Sequence, residues 1–312
     1  MRKLCSIVMA IAVSLLLFTA MPIEKVHAST VKLNKTSILL SVNKTYRLKV
    51  KGTSKKIHWT SSNRSIAAVS KHGKVRAKKR GIVKVTAKAG KKKLKCKVYV
   101  GKTIYSSSRL TLSYIRTSSG GVRFAVKNKW DRHMEFSINA LGLDGINING
   151  YGTTSIKNGA TSGIYFDANS NLNYTKHKVI SLYGYSYDIN DNHWKGFSVV
   201  NKTIGTTANN EINPLNPILL YDGKYCTLHY VGNSKYGIQL LVTNKKNHDV
   251  DASMGKVKLN GTTYPEDDDY GITLAPKCKG YYTYRCNLGS PLSSIIGVFD
   301  FDYTDYIINK TF

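Results

Sequence analysis

The stretch KVTAKAGKKKLKCKVYV, residues 84–100, contains seven lysines and no carboxylate. Apolar and basic residues alternate on both sides of Gly90, and they alternate again in YRLKV, residues 46–50. A period of two is typical of β-strands that place one face on a core and the other in solvent. The pattern therefore predicts a hairpin whose lysines cover its solvent-facing side.

The positive charge of the chain is concentrated in one region. Residues 30–101 contain 22 Lys and Arg and no Asp or Glu, whereas residues 102–312 contain 22 basic and 17 acidic residues. This change in composition predicts a domain boundary near residue 101. Thr, Val, Ile and Tyr are abundant and no long apolar stripe at helical spacing occurs, so the sequence predicts an all-β fold.

The N-terminus has the layout of a secretory signal peptide. Arg2 and Lys3 precede an apolar run over residues 6–20, and Val26-His27-Ala28 then offers a small-residue cleavage site. The run is shorter than the roughly 20 residues that a membrane-spanning helix needs. We therefore expect a secreted or extracellular, envelope-associated protein with no transmembrane segment after cleavage. An uncleaved membrane anchor is the weaker alternative.

A series of short motifs runs through residues 59–87. WTSSN at 59–63 is followed by the apolar AAV at 67–69, by GKV at 73–75, and by Gly81 before VKVTA at 83–87. In this combination, residues 30–101 resemble the bacterial immunoglobulin-like group 2 domain, the module of invasin- and intimin-type adhesins. The resemblance implies a small Greek-key sandwich, surface display and adhesion, and it supplies no catalytic residue.

The rest of the chain is an internal duplication. At an offset of 116 positions, residues 104–187 overlay residues 220–303 without a gap, so that RLTLSYIRTSSGGVRFAVKNK meets YCTLHYVGNSKYGIQLLVTNK. An offset that persists over a whole domain indicates duplication. Asp144-Gly145 and Asn260-Gly261 fall at equivalent positions, and both pairs are strong signals for two-residue hairpin turns.

These features predict an all-β protein of three tandem β-sandwich domains that follow a signal peptide. The predicted organisation is a signal peptide (1–28), a cationic bacterial immunoglobulin-like group 2 domain (29–101), β-sandwich repeat A (102–204), a linker (205–217) and β-sandwich repeat B (218–312).

A lysine-rich surface without acids is suited to polyanions, because it releases their counterions on binding. The expected partner is an anionic cell-wall or surface polysaccharide of the teichoic-acid type, or an acidic host glycan. We expect no specific nucleic-acid recognition and a monomeric protein. The alternative is that the charge only aids solubility or blunts strand edges. The candidate polyanion-binding residues are Arg47, Lys49, Lys51, Lys84, Lys88, Lys93, Lys95 and Lys97.

The three tryptophans are aromatic candidates for ligand contact. Trp59 could fill a core or stack on a ligand, and its place on a strand beside Ile57 favours the core. Trp130, at an expected turn, and Trp194, in a segment that lengthens repeat A alone, are candidate exposed glycan contacts. A carbohydrate-binding or envelope-maintenance protein, with its ligand site on the tandem repeats, is therefore the alternative function.

The sequence carries no motif for a nucleophile and its base, for a helical metal site or for a phosphate-binding loop. We therefore expect a non-catalytic surface binding or adhesion protein with no catalytic residues, no metal site and no cofactor. Acidic clusters at 266–269, 188–191 and 300–305 match no calcium loop. A disulfide between Cys278 and Cys286 is permitted by export, and the sequence leaves this pairing open.

Overall fold

A computed structural model describes residues 30–168, 176–188, 190, 194–206, 216–266, 271–288 and 290–312. The expected signal peptide and most of the expected linker lie outside these residues. All helix and strand assignments within them are β-strands, which confirms the all-β prediction. The described part of the chain contains no helix that is long and apolar enough to cross a membrane.

The strands are numbered in chain order. They are β1 (Lys32–Leu33), β2 (Ser37–Leu40), β3 (Thr45–Arg47), β4 (Val50–Lys51), β5 (Ile57–Ser61), β6 (Ala67–Val69), β7 (Lys74–Ala77), β8 (Gly81–Ala89), β9 (Lys92–Val100), β10 (Lys102–Ser106), β11 (Leu110–Ser118), β12 (Gly121–Asn128), β13 (Met134–Leu143), β14 (Ile146–Ile148), β15 (Gly150–Ile156), β16 (Thr161–Ala168), β17 (Val179–Tyr187), β18 (Lys195–Thr203), β19 (Ile218–Asp222), β20 (Cys226–Ser234), β21 (Gly237–Asn244), β22 (Val250–Leu259), β23 (Thr262–Tyr264), β24 (Ile272–Leu274), β25 (Lys279–Arg285), β26 (Ser294–Phe301) and β27 (Asp305–Thr311).

Residues 30–101, the cationic segment, form two facing sheets. Their strand orders are β2-β9-β8-β5 and β3-β7-β6, and β1 pairs separately with β4. The apolar positions of the alternating strands meet in one core, which includes Val85, Val98, Leu48 and Val75. Because these side chains fill the space between the sheets, the basic positions of the same strands face outward.

The two repeats place equivalent strands in equivalent pairs. In both, a two-residue turn with positive φ at both positions closes a hairpin: Asp144 and Gly145 have φ of 52° and 80°, and Asn260 and Gly261 have φ of 49° and 86°. The flanking strands pair directly across each turn, β13 with β14 and β22 with β23. The predicted hairpin turns are therefore confirmed.

A buried asparagine recurs in both repeats. The Asn128 side-chain amide donates to the carbonyls of Arg132 (2.8 Å) and Ile156 (2.9 Å), and its oxygen accepts from the Trp130 backbone N–H (2.8 Å). Asn244 makes the equivalent bonds in repeat B, to the carbonyl of His248 and from the N–H of Lys246. The recurring buried asparagine thus ties the loop that follows it to the body of each repeat.

The predicted gap-free offset between the repeats is wrong beyond the hairpin turns. Val122 pairs with Phe166, whereas the equivalent Ile238 pairs with Tyr284, an offset of 118. The next shared strand also departs from 116. The residues of β26 that pair with β22 lie 115 positions after the residues of β17 that pair at the equivalent places on β13. The connections before β24 and before β26 differ in length from those of repeat A, and loops accept such changes without disturbing the sheets.

The segments also contact one another. Ile82 and Tyr99, which are cross-strand partners, pack with Ile115 and Ala125 of repeat A in a small apolar cluster. Repeat A meets repeat B through Asn147, whose side chain donates to the carbonyl of residue 273 (3.0 Å) and accepts from the backbone N–H of residue 275 (2.9 Å). The first of these contacts is apolar and the second is polar.

Candidate polyanion-binding surface

Five of the candidate cations lie on one outward sheet surface, here called the lysine face: Lys84, Lys88, Lys93, Lys95 and Lys97. All five are exposed. In the register of β8 and β9, Lys84 lies opposite Lys97, Lys88 opposite Lys93, and Thr86 opposite Lys95. The face therefore contains two cross-strand pairs of like charge, an arrangement that destabilises a sheet.

The charge of the cationic segment has no internal compensation. Residues 30–101 contain no carboxylate. Among the described residues, the ion pairs all lie in the two repeats and include no Lys or Arg of this segment. Every basic residue of the segment is exposed except Arg80, which is half-buried.

The lysines of the lysine face lie on interior strands of their sheet. The order β2-β9-β8-β5 places β8 and β9 at its centre, with β2 and β5 at its edges. Lysines that protect a sheet against edge-to-edge association belong on edge strands. Protection of strand edges therefore does not explain these five residues.

The remaining candidates lie elsewhere, so the eight predicted residues do not form one surface. Arg47 lies on β3 opposite Lys74 of β7, on the outer side of the second sheet. Lys51 lies on β4 opposite Lys32, and Lys49 lies between β3 and β4. Because the core separates the two sheets, the outer face at Arg47 points away from the lysine face.

Sequence analysis missed Lys74 and Arg76, which join Arg47 on the outer side of the β3-β7-β6 sheet. The sequence contained the signal for these residues, because basic and apolar residues alternate in Lys74-Val75-Arg76-Ala77 as well. In the structure these four residues are exposed, buried, exposed and buried in that order. Arg80 was also missed: its guanidinium donates to the Ile204 carbonyl (2.7 Å) and lies 5.1 Å from the ring centre of Tyr114. It joins the segment to repeat A.

Trp130 is not the exposed contact that was expected. It is half-buried and packs against the core of repeat A. The guanidinium carbons of Arg109 and Arg132 lie 4.4 Å and 5.7 Å from its ring centre. The ring thus serves as a packing surface for two arginines.

Trp194 is 54% exposed, and it lies in an aromatic platform with Tyr187 and Tyr185. Its ring stacks on Tyr187 with centroids 4.0 Å apart and lies 4.7 Å from Tyr185. Across the sheet, Glu135 lies opposite Tyr187 and Ser137 lies opposite Tyr185. An exposed aromatic ring beside hydrogen-bonding groups is the type of surface on which a sugar ring can stack.

The four described cysteines, including Cys278 and Cys286, are free thiols. Burial raises the pKa of the Cys96 and Cys278 thiols to about 12 and that of Cys226 to about 11. Thiols with pKa values this high stay protonated at neutral pH and are poor nucleophiles and poor metal ligands. Within the described residues, no three of His, Cys, Asp and Glu converge as metal ligands do.

Two antiparallel-rich sheets that face each other across one core define the immunoglobulin-like class of β-sandwich. Residues 26–98 match the family model described as bacterial Ig-like domain (group 2). Such a domain is therefore present in this chain, as its motifs predicted. No curated protein matches the chain.

Several solved structures are similar to parts of the chain. Domains 5–6 of the S-layer protein SbsC share 18% identity, with 57% of this chain and 98% of that chain covered at a TM-score of 0.22. The YadV chaperone shares 15%, covering 65% and 100%, at 0.23. The CsuC–CsuE chaperone–tip adhesion subunit complex of Acinetobacter baumannii shares 12%, covering 60% and 89%, at 0.20. At these TM-scores, none of the three bears on what this chain binds.

Proposed function

We propose that this protein is a non-catalytic binding protein of the cell surface, and that its cationic segment holds an anionic envelope polymer of the teichoic-acid type. The observation that carries the proposal is the lysine face. Its cations lie on central strands, two pairs of them directly oppose each other, and no carboxylate of the segment balances them. The bacterial immunoglobulin-like domain supports a cell-surface or extracellular location.

The physical basis of the binding is counterion release. A phosphate-bearing polymer carries condensed cations, and ammonium groups that replace them liberate those ions. Lysine is suited to this because its flexible stem lets a point charge follow an irregular chain. The repulsion within each opposed lysine pair is relieved when a phosphate lies between the two ammonium groups, so binding recovers stability that the free fold lacks.

Wall fragments that carry teichoic acid provide the test, with the full chain and a series of salt concentrations. We expect strong retention at low salt and release near about 0.5 M salt, because each displaced phosphate contact adds to the salt dependence. Retention that does not change with salt would contradict the proposal. Wall fragments stripped of teichoic acid should retain little protein.

A matched pair of variants separates the lysine face from net charge. K84Q/K88Q/K93Q/K97Q removes four charges from the face, and K32Q/K35Q/K78Q/K79Q removes four exposed charges from other parts of the segment. The first variant should lose most of the retention and the second should keep most of it. Equal losses in the two variants would show that only total charge matters.

A second candidate function rests on the Trp194 platform. Its stacked rings and the neighbouring Glu135 and Ser137 suit a neutral glycan of the envelope or of a host surface. A glycan array probed with the full chain tests this candidate. This candidate is favoured if the chain binds a glycan even in 0.5 M salt, if W194A abolishes the binding and if W130F preserves it.

A further inference from the structure

A groove of about 1150 Å³ runs along the side of the cationic segment, apart from the lysine face. Strand β5 forms one wall, and the connections from β3 to β4 and from β6 to β7 form the other. None of the five residues of the lysine face lines it. The volume is slightly above the roughly 300–1,000 Å³ of typical small-molecule clefts, which leaves room for a short stretch of a polymer.

The floor of the groove is apolar and fixed. Trp59 is half-buried, packs against the core and lines the groove, with Ile57 and Val69 beside it. Its ring lies over Gly73, where a Cβ atom would come within 2.8 Å of Cζ2 and where φ is +76°. Glycine is therefore required at this position, and it lets the indole seat closely against the turn. The core interpretation of Trp59 agrees with this packing, and the residue also lines the groove.

The rim of the groove is cationic. Arg47, Lys49, Lys56, Arg64 and Lys71 line it, and all five are exposed. None of them forms an ion pair among the described residues, and the segment has no carboxylate to offer. Two of the five are arginines, whose planar forks bind carboxylates with two parallel hydrogen bonds.

We infer that this groove binds a ring of an acidic polysaccharide, with a hexuronate-type sugar over Trp59 and its carboxylate on Arg47 or Arg64. The inference rests on the proposed affinity for polyanions but assigns a separate site and a narrower ligand. A pyranose presents an apolar C–H face that covers an indole, and its carboxylate meets the rim. An unsubstituted polyphosphate chain satisfies the cations but leaves the apolar floor uncovered, so it gains no hydrophobic free energy there.

Fluorine NMR of the full chain labelled with 5-fluorotryptophan tests this directly. The three tryptophans give one resonance each, and W130F and W194F assign two of them, so that Trp59 follows by elimination. Titration at low salt uses an oligogalacturonate and, separately, an inorganic polyphosphate of equal charge. We expect the oligogalacturonate to shift the Trp59 resonance and the polyphosphate to bind without shifting it.

Two variants complete the test. R47Q/R64Q should weaken oligogalacturonate binding by at least about tenfold, because both carboxylate forks are lost. K84Q/K88Q/K93Q/K97Q should leave the Trp59 shift in place while it weakens polyphosphate binding. Both variants change exposed side chains only, so we expect them to keep the fold.

The outcomes separate this inference from the proposed function. If both polymers bind and Trp59 responds to neither, the groove assignment is wrong and polyanion binding by the lysine face stands. An equal Trp59 shift with polyphosphate overturns the acidic-sugar assignment. A shift at Trp194 alone moves the glycan site to the platform of repeat A. Failure of both polymers to bind at low salt would refute both the inference and the proposed function.

Discussion

Lys84 on β8 lies directly opposite Lys97 on β9, and both ammonium groups are exposed with no carboxylate in the segment to separate them. We predict that K84E stabilises the cationic segment by about 0.5–1 kcal/mol at low salt, because the pair becomes one of opposite charge. The same substitution should weaken binding to teichoic-acid-bearing walls. Urea unfolding measured in parallel with wall retention checks both effects.

The control for this prediction is K84Q, which removes the repulsion without adding an attraction. Its gain in stability should be smaller than that of K84E, and the difference between the two should shrink in high salt because exposed charges are screened. If K84E neither stabilises the segment nor weakens retention, the opposed lysines have no part in binding.

Asn128 provides a prediction about stability. N128A leaves the carbonyls of Arg132 and Ile156 without the buried amide that donates to them, and each such group costs about 1–3 kcal/mol. The backbone N–H of Trp130 loses one of its two acceptors and keeps the Arg109 carbonyl. We expect repeat A to lose about 3 kcal/mol, and N244A to have a comparable effect in repeat B. Amide hydrogen exchange at Trp130 and Lys246, followed during urea unfolding, locates the loss.

The exposed Asn158 is the matched control for Asn128, because its amide makes a single hydrogen bond, to the carbonyl of Asp131 (2.8 Å). N158A should cost less than about 1 kcal/mol. Equal losses for N128A and N158A would mean that burial of the asparagine adds nothing.

Local rules explain what sequence analysis predicted correctly. Alternation predicted that Lys84 and Lys97 face outward, because successive side chains of a strand point to opposite faces and Val85 and Val98 are in the core. The Asp144-Gly145 turn follows in the same way, since both residues tolerate positive φ. Such features depend on neighbours along the chain, and a single sequence contains them.

Features that depend on distant partners were missed. The apolar Ile82 and Tyr99 occupy outward positions of the lysine-rich strands, and only their contact with Ile115 of repeat A explains them. Trp130 was expected to be exposed because it follows a turn signal, yet Arg109 covers it from the connection between β10 and β11. The offset between the repeats failed for a similar reason, because loop lengths change while strand pairing is kept.

Arg80 should control the junction between the cationic segment and repeat A. R80Q removes the hydrogen bond to the Ile204 carbonyl and the contact with the Tyr114 ring. We expect a broader distance distribution between spin labels at the exposed positions Ser70 and Thr153, measured by pulsed dipolar spectroscopy. K79Q, which changes the exposed neighbour, is the control. An unchanged distribution in R80Q would show that the remaining contacts, the apolar cluster and the hydrogen bond from the Thr161 N–H to the Ser37 hydroxyl, hold the junction without Arg80.

Asp249 should make the stability of repeat B depend on pH. Burial raises the pKa of this carboxyl to about 6, and the nearby Asp251 and Asp302 act in the same direction. The folded state therefore holds the proton more tightly than the unfolded state, in which an aspartate has a pKa of about 3.9. The stabilisation is complete below about pH 4 and is lost as the pH rises through about 6.

D249N should accordingly raise the stability of repeat B at pH 7.5 and flatten its change between pH 4 and 6. The expected gain is about 1 kcal/mol, since solvent screens a half-buried group and reduces the effect of its pKa shift. Thermal unfolding across this pH range gives the measurement, and D131N, which removes an exposed carboxylate from repeat A, controls for the loss of one negative charge. A D249N variant that keeps the wild-type pH profile would show that the buried proton lies on another group.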